Sequence, residues 1–497
     1  MHRRISSYQP YLLLGVFSAL VISVFSKSSP LYPLNDWVDA NCFLTTGKSI
    51  LSGHVLYRDV YEQKGPLLYF LHALAALVSD RSFLGVWLLE ILCCFGSALS
   101  LWHFAGRPRD ARLLLLPGLL TLIFSTTAFA SGDSAEELSL PLLAYSLSVA
   151  LTTPVPDNRH AYRIGMAAGA ILWIKYTLCG FYLAYALYIA VFCVIHREFS
   201  RLFRLILFFL LGMLTVSVPV LLYFLVNGAV GDLYEVYFLN NITRYSPSAG
   251  GARGASRSGL LSTILTFAAQ NPVITALIVL GVLYTALRDL RHLPVLLLGL
   301  TACLVFVSLG TRPYPYYAFI LAAFTLPGYR ALTDLAGTLR APALARTVLS
   351  LLLSLLCFSW GWTTSLNTYL LGTDRQAMPQ YQFAAIISQN EDATLLNYGF
   401  LDGGFYTAAG ITPSSRFFCQ LNISLPEMTQ EMNRSLQEGS TDYVVTRGRR
   451  LDSDRYTLVA QSSFPYQSNA DRPRSFTYYL YRRTSEDAST SLSMGAH

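Results

Sequence analysis

The sequence predicts a polytopic α-helical membrane protein with a small α/β domain after its last transmembrane helix. Of its 497 residues, 53% are hydrophobic and 13% are charged, whereas about a quarter of an average soluble chain is charged. Apolar runs long enough to cross a hydrocarbon core recur along the chain, among them Leu12–Phe25, Phe83–Phe104 and Leu205–Val226. After about Asn367 the chain becomes polar and mixed in charge, which indicates a separate domain in water.

The first apolar run predicts an uncleaved transmembrane helix with a cytoplasmic N-terminus. The chain begins with His2, Arg3 and Arg4 and becomes apolar from Tyr11, and no small-residue cleavage site follows. A basic flank favours the cytoplasmic side. We therefore expect a multi-pass protein of a bacterial plasma membrane.

Basic clusters predict the remaining topology, because loops rich in Lys and Arg stay on the cytoplasmic side. If all the clusters are cytoplasmic, the helices between them cross in pairs, and we expect about 11 to 13 transmembrane helices. Residues 66–79 are then too short to span and lie along or dip into the membrane. Ile164–Ile195 crosses twice, with a break between Lys175 and Gly180, while Ile264–Leu287 and Tyr314–Pro327 each cross once. The clusters contain Arg107, Arg109 and Arg112; Arg159 and Arg163; His196, Arg197, Arg201 and Arg204; Arg288, Arg291 and His292; and Arg330 and Arg340.

This topology divides the chain into a membrane domain over residues 1–366, with an outer loop over 27–65, an extracytoplasmic α/β domain over 367–485 and a disordered tail over 486–497. Alternating apolar residues predict short strands, and an acidic first turn predicts one helix. The strands are Ala393–Tyr398, Asp442–Thr446, Tyr456–Ala460 and Ser475–Tyr481, and the helix is Pro426–Gln437.

Composition and motifs exclude several classes of function. The net charge of +7 belongs largely to cytoplasmic loops, so we expect no nucleic-acid partner. The chain has no Walker motif, no dinucleotide-binding glycine fingerprint and no nucleophile elbow. Six of its eight cysteines lie in apolar segments. Only Cys42 and Cys419 lie in polar regions, where they are either free thiols or a disulfide.

The outer loop carries the first candidate residues. Asp36 and Asp39 are three residues apart, so a helical turn places them on one face. Apolar residues after Asp39 predict an amphipathic helix that runs to about Ser52 on the outer membrane surface. Asp36 also suits a helix cap, whereas Asp39 lies one turn further in. We therefore expect Asp39 to be catalytic and Asp36 to contact substrate or cap the helix.

The second element is Arg58 to Pro66, which holds Arg58, Glu62 and Lys64 within seven residues. Lys64 precedes the expected start of a helix, and a cation beside free backbone N–H groups forms an anion site. A phosphate at the membrane surface is the expected ligand. The alternative is that Lys64 binds no ligand and simply extends its charged end from the membrane into water.

Three further elements carry charge at or within the membrane edge. Glu136 and Glu137 lie in a tight turn without basic residues, and acids at this depth indicate function. Lys175 lies inside an apolar run and needs an acid or phosphate as its partner. Arg312 and Tyr317, in Thr-Arg-Pro-Tyr-Pro-Tyr-Tyr, suit contact with phosphate or sugar, or form an interfacial aromatic belt.

These residues occur in an order that resembles the integral-membrane glycosyltransferases of the GT-C superfamily. The likeness is greatest to glycosyltransferase family 39 and its relatives, which include protein O-mannosyltransferases and the lipid A aminoarabinose transferase. It runs over most of the chain and rests on short segments: DANCFLTTGKSILSG, YRDVYEQKGPLLYF, SAEEL, WIKYT, YPYYAFILAAFTLPG, NYGFLDGGFYTAAGITPSSRFF and DYVVTR.

The resemblance implies a GT-C-like fold, a polyprenyl-phosphate sugar donor and transfer to a cell-envelope acceptor on the outer face of the membrane. Asp39 matches the first-loop acid that acts as base or orients the acceptor. Lys64 matches the lysine of a Lys-Pro-Pro motif that holds the donor phosphate, and Glu136 or Glu137 matches the second acidic position. Two departures stand out. Gly65 replaces the first proline, and Gln63 replaces a frequent acid, which leaves the role of a divalent metal open.

The resulting hypothesis is a metal-independent or weakly metal-assisted inverting transfer. A transporter or lipid-linked sugar flippase is the main rival, although inverted repeats, which are common in transporters, are not evident in the sequence. A non-catalytic membrane scaffold would leave the clustered outer acids without a role.

Overall fold

The computed structural model describes residues 2–244, 260–308, 314–466 and 474–484. Within these ranges four helices are long and apolar enough to cross a membrane, or up to six spans if each of two bent helix pairs counts as one. The last of the four, Ala343–Thr364, is only 6% buried, so most of its apolar surface needs lipid. A helical membrane architecture is therefore confirmed, while the count of 11 to 13 spans stays a prediction.

The described ranges contain nineteen α-helices and four strands. The helices are α1 (His2–Phe25), α2 (Val38–Leu51), α3 (Pro66–Ala76), α4 (Leu84–Phe104), α5 (Leu116–Phe124), α6 (Ala135–Thr152), α7 (Asn158–Lys175), α8 (Gly180–Ile195), α9 (Phe199–Val226), α10 (Val230–Leu233), α11 (Asn241–Thr243), α12 (Leu260–Gln270), α13 (Pro272–Arg288), α14 (Leu293–Ser308), α15 (Leu326–Gly337), α16 (Ala343–Thr364), α17 (Pro379–Ile387), α18 (Phe405–Ala409) and α19 (Pro426–Glu438). The strands are β1 (Leu395–Tyr398), β2 (Tyr443–Arg447), β3 (Tyr456–Tyr466) and β4 (Arg474–Arg483).

The expected break between Lys175 and Gly180 is confirmed. Helix α7 ends at Lys175, a 3₁₀ turn covers Tyr176–Leu178, and α8 leaves at an angle of 117° to the preceding segment. A side chain at Gly180 would come within 2.6 Å of the Ala302 carbonyl. Glycine therefore lets α8 begin against the backbone of α14, and the break leaves Lys175 at the end of its helix.

Two segments differ from the single crossings expected. Ile264–Leu287 is two helices, because Pro272 cannot continue α12, and α13 departs at 109°. Buried Asn271 fills the break, where its side chain donates to the Phe267 carbonyl and accepts from the Ala128 N–H. Tyr314–Pro327 is mostly a buried 3₁₀ helix, Pro315–Thr325, which runs into α15.

Residues 66–79 form the short helix that their length predicts, since α3 has only 11 residues. Helix α2 differs from the surface helix expected. All residues from Ala40 to Ser49 are buried, because α3 packs on one side and the segment 402–411 on the other. Gly47 allows the first contact, since a Cβ there would lie 2.6 Å from the backbone of His72.

The C-terminal sheet has the order β1-β2-β4-β3. Strands β1 and β2 are parallel, whereas β4 pairs antiparallel with both β2 and β3. All four predicted strands and the predicted helix, observed as α19, are confirmed. The placement of this sheet outside the cytoplasm and the boundaries of the domains stay predictions, and the expected tail over 486–497 lies outside the described residues.

Candidate active site

A cavity of about 120 Å³ opens where three distant parts of the chain meet. The outer loop, the start of the 3₁₀ helix and the C-terminal α/β part each contribute one wall. It is lined by Trp37, Val38, Asp39, Glu62, Gln63, Lys64, Tyr314, Tyr316, Leu401, Leu421 and Asn422. Three of the residues predicted from the sequence, Asp39, Glu62 and Lys64, therefore face one small polar space.

Asp39 lies in the first turn of α2 and is half-buried. The Tyr316 hydroxyl donates to its Oδ2 at 3.0 Å, and the Trp37 ring packs edge-on against Tyr316 with 5.0 Å between centroids. The helix and one hydrogen bond thus fix the carboxylate at the cavity wall. Such an acceptor can receive a proton or a hydroxyl hydrogen bond from a bound molecule.

Hydrogen bonds to both its N–H and its carbonyl fix the backbone of Lys64. Its N–H lies within hydrogen-bond distance of Glu62 Oε2 at 3.0 Å and of the Tyr69 hydroxyl at 2.9 Å, and its carbonyl accepts from Tyr57. The side chain is half-buried, with Nζ 5.7 Å from the centroid of the Phe43 ring. A lysine on such a fixed backbone presents its charge to the cavity at a defined place.

Gly65 explains why this chain departs from a Lys-Pro-Pro sequence. Its N–H donates at 3.0 Å to the carbonyl of Ile174, one of the last carbonyls of α7, which has no partner inside its own helix. A Cβ at Gly65 would lie 2.0 Å from the Trp173 carbonyl oxygen. Proline would remove the donor and add this clash, so only glycine permits the contact between the loop and α7.

Glu62 is buried beside Lys64, with 3% of its surface exposed. Burial raises the pKa of the Glu62 carboxyl above its usual value, and the charge of Lys64 opposes that rise. The negative charge of Asp39 acts in the same direction as burial. Glu62 is therefore a carboxyl group that takes up a proton more readily than an exposed glutamate does.

Lys175 pairs with Glu136, as an intramembrane lysine requires. Its Nζ lies 2.6 Å from Glu136 Oε1 and 3.6 Å from the centroid of the Tyr317 ring. Glu136 is fully buried, whereas 13% of the Lys175 side chain is exposed. The charges of Lys64 and Asp39 both act on Lys175, so the helix break brings this cation to the same region as the loop residues.

Glu136 and Glu137 point to different surroundings. Ser134 caps α6 by accepting from the Glu137 N–H at 3.0 Å. The Glu137 carboxylate turns back, and its Oε2 accepts from the Asp133 N–H, from which Glu90 also accepts. Glu137 thus belongs to a buried cap and Glu136 to the Lys175 pair, which separates two neighbours that the sequence left equivalent.

Two predicted residues of the outer loop, Asp36 and Arg58, do not line the cavity. Asp36 pairs with Lys27 at 2.6 Å in a buried ion pair. Arg58 is exposed, pairs with Asp59 and donates to the Asn227 carbonyl. Arg312 lies outside the described residues. The structure therefore gives Asp36 and Arg58 local partners away from the cavity.

The sequence did not point to Trp37, Leu401, Leu421 and Asn422 as cavity residues. Trp37 adjoins Asp39, so an aromatic residue beside the acid was a readable signal. The other three come from loops more than 300 positions away, and no local pattern marks them. Glu90, a single acid within the apolar helix α4, was an unused signal of a buried polar cluster.

The carboxylates of the site do not gather into a metal-binding set. Among the described residues no group of three or more His, Cys, Asp or Glu side chains could hold a metal ion. Gln63 contributes an amide at the position where an acid is frequent in the resembling family. A divalent metal therefore stays a prediction of the resemblance, and no step is assigned to one.

Comparison with solved structures identifies the fold. ArnT from Cupriavidus metallidurans in the apo state matches with a TM-score of 0.60 and 15% identity, over 95% of this chain and 98% of that one. The same protein bound to undecaprenyl phosphate gives 0.57 and 15%, with the same coverage. The arabinofuranosyltransferase AftD from Mycobacteria gives 0.51 and 15%, over 97% of this chain and 40% of that one. These matches show that the chain has an ArnT-like fold, in agreement with the fold that the resemblance implied.

Sequence comparison gives one family. Residues 1–284 match the family model described as "Putative competence-induced protein Ccs4 N-terminal domain". No curated protein sequence matches this chain.

Proposed function

We propose that this chain, which belongs to the Ccs4 N-terminal domain family and has the fold of ArnT, is a membrane glycosyltransferase. It transfers a sugar from a polyprenyl-phosphate donor to a hydroxyl of a cell-envelope acceptor, which is a glycan, lipid or protein, on the outer face of the plasma membrane. The observation that carries the proposal is the single cavity lined by both Asp39 and Lys64, in the same region as the Lys175–Glu136 pair. One of the matched ArnT structures has undecaprenyl phosphate bound, which supports a lipid phosphate as the partner here.

In this proposal the residues divide into an acceptor side and a donor side. Asp39 accepts the proton of the acceptor hydroxyl, or orients that hydroxyl, and Tyr316 holds the carboxylate in place. The acceptor oxygen attacks the sugar carbon on the face opposite the phosphate, so the configuration inverts. Proton transfer by a positioned carboxylate contributes about 10² to 10⁴-fold to such a rate.

The donor side holds the leaving group. When the bond from sugar to phosphate breaks, the lipid phosphate gains a full negative charge. Lys64 neutralises that charge, with Lys175 and the positive N-terminal end of α3 as secondary sources of positive potential. Fixed cations aimed at developing charge are usually the largest single contribution to catalysis. Glu136 acts through Lys175 and is a positioning residue, while Tyr317 supports the same cation with its ring.

Substitution of Lys64 tests the donor side. We expect Lys64→Ala to raise the Kd of the purified protein for a labelled polyprenyl-phosphate sugar at least 10-fold, because the phosphate loses its main cation. Arg58→Ala is the matched control, since Arg58 is an exposed cation of the same loop outside the cavity. Equal weakening by both variants would mean a general attraction by the loop, and an unchanged Kd for Lys64→Ala would refute the assignment.

A lipid-linked sugar flippase is the second candidate, and the sharp break between α7 and α8 favours it. Helices broken within the membrane are frequent in transporters, where the broken ends bind the substrate. The two functions differ in their products. Proteoliposomes given donor and acceptor would yield free lipid phosphate and a glycosylated acceptor with a transferase, but only translocated donor with a flippase.

A further inference from the structure

Two buried thiols lie in contact beside the cavity. The sulfur of Cys42 is 3.8 Å from that of Cys419, and each residue is 1% exposed. They are separated by 377 positions in the sequence, and they are the two cysteines that lie outside apolar segments. We propose that Cys42 and Cys419 form a disulfide bond in the mature protein, which ties helix α2 to the C-terminal wall of the cavity.

The two backbones on which these sulfurs lie are already fixed against each other. Close to Cys42, Thr45 donates to Asp402 at 2.6 Å, and buried Lys48 donates to the carbonyls of Tyr406 and Ile411. The thiols therefore face each other across a well-packed contact.

Cys419 is held in the same way from the other side. Phe418 accepts from the Asn397 N–H, and Gln420 donates to the Phe400 carbonyl. A disulfide requires a sulfur separation of about 2.05 Å, so each sulfur has to move by roughly 0.9 Å. We expect rotation about the two Cα–Cβ bonds to supply this movement.

Formation of the disulfide requires an oxidant and thiols that are still accessible. Two thiols lose two protons and two electrons to a disulfide-class oxidant, such as a thiol–disulfide oxidoreductase, which is reduced to two thiols. Burial raises the pKa of both thiols, and a protonated buried thiol is inert toward exchange. The bond therefore forms as the C-terminal part docks, and the same burial later shields it from reductants.

The two cysteines lie close in sequence to residues on opposite walls of the cavity. Asp39 is three residues before Cys42 in α2, and Leu421 and Asn422 follow Cys419 within three residues and line the cavity. A bond between the two segments holds the acceptor-side acid and the opposite wall at a fixed distance. The inference rests on the outer-face location of the proposed function, because disulfides persist in oxidising compartments.

The test is peptide mapping of the wild-type protein without prior reduction. Cells are quenched in acid, and the protein is denatured with excess N-ethylmaleimide so that every free thiol is capped. We expect a cross-linked pair of peptides that contain Cys42 and Cys419, about 2 Da lighter than their sum, while Cys303 is capped and serves as the internal control. Quantitative capping of both Cys42 and Cys419 would overturn the proposal.

A second measurement tests the consequence. We expect the double variant Cys42→Ser/Cys419→Ser to unfold at a lower temperature than wild type, and dithiothreitol added to the denatured wild type before refolding to produce the same shift. Identical melting with and without the bond would overturn its role as a tie. Neither experiment measures sugar transfer, so a failure here is distinguishable from a failure of the proposed glycosyltransferase.

Discussion

Gly65→Pro is the most informative single substitution, because it restores a Lys-Pro-Pro sequence yet should damage the protein. Gly65 has φ −72° and ψ 148°, which proline adopts without strain. Any loss therefore comes from the two contacts with α7. Proline removes the N–H that donates to the Ile174 carbonyl, and leaving a buried carbonyl without a donor costs about 1 to 3 kcal/mol. Its added atoms begin 2.0 Å from the Trp173 oxygen, and overpacking of this kind costs about 1 to 3 kcal/mol.

The free energy of unfolding should fall by about 2 to 6 kcal/mol for Gly65→Pro, the sum of those two ranges. Gly65→Ala keeps the N–H and should show only the steric part. Gly231→Ala is the control for glycine replacement itself, since no atom lies within 4 Å of its added Cβ. Unfolding in mixed micelles by titration with dodecyl sulfate measures all three.

The same substitution should lower activity, because the loop and the end of α7 carry Lys64 and Lys175. A shift of about 1 Å between positioned groups can cost about 100-fold in rate, so we expect kcat/KM for the lipid-linked donor to fall at least 10-fold. Wild-type stability together with wild-type kcat/KM in Gly65→Pro would refute the proposed packing at this contact.

Two further predictions concern buried charge. Lys175→Met leaves Glu136 buried without its partner and should lower the free energy of unfolding by about 3 to 5 kcal/mol. The double variant Lys175→Met/Glu136→Gln should recover most of the stability but not the transfer activity. A double variant as unstable as the single one would contradict the pairing. Because the folded-state pKa of Glu62 is raised above 4.5 by burial, its protonation stabilises the fold fully below about pH 4.5 and less as pH rises through the folded pKa. The free energy of unfolding of wild type relative to Glu62→Gln, measured from about pH 4 to 8 in the same titration, should therefore fall with pH, and parallel curves would count against a buried Glu62.

Local patterns in the sequence predicted the elements that depend on local physics. Strand alternation and the acidic start of α19 identified the whole C-terminal sheet and its helix, and the polar Lys175 inside an apolar run marked the break between α7 and α8. The break at Asn271 was missed, although Pro272 was a sufficient signal, because the apolar run on both sides has the length of one span.

The candidate site was only partly predictable, since much of it depends on contacts between distant segments. Nothing near Thr45 indicates that it will meet Asp402, so the burial of α2 on both sides had to come from the fold. The different roles of Glu136 and Glu137, in contrast, could have been predicted from a local sequence pattern. Ser134 and Glu137 have the three-residue spacing of a helix cap, which assigns Glu137 to the cap and leaves Glu136 for Lys175.

The most direct test of the central claim is the rate of sugar transfer by purified Asp39→Asn with a labelled polyprenyl-phosphate sugar and a cell-envelope acceptor fraction. Asparagine keeps the size of the side chain and can still interact with Tyr316, so the fold and donor binding should remain. Because the amide cannot accept a proton, we expect transfer to fall by about 10² to 10⁴-fold. Transfer at nearly the wild-type rate, with the donor still consumed, would contradict the role of Asp39 and with it the proposed acceptor side of the site.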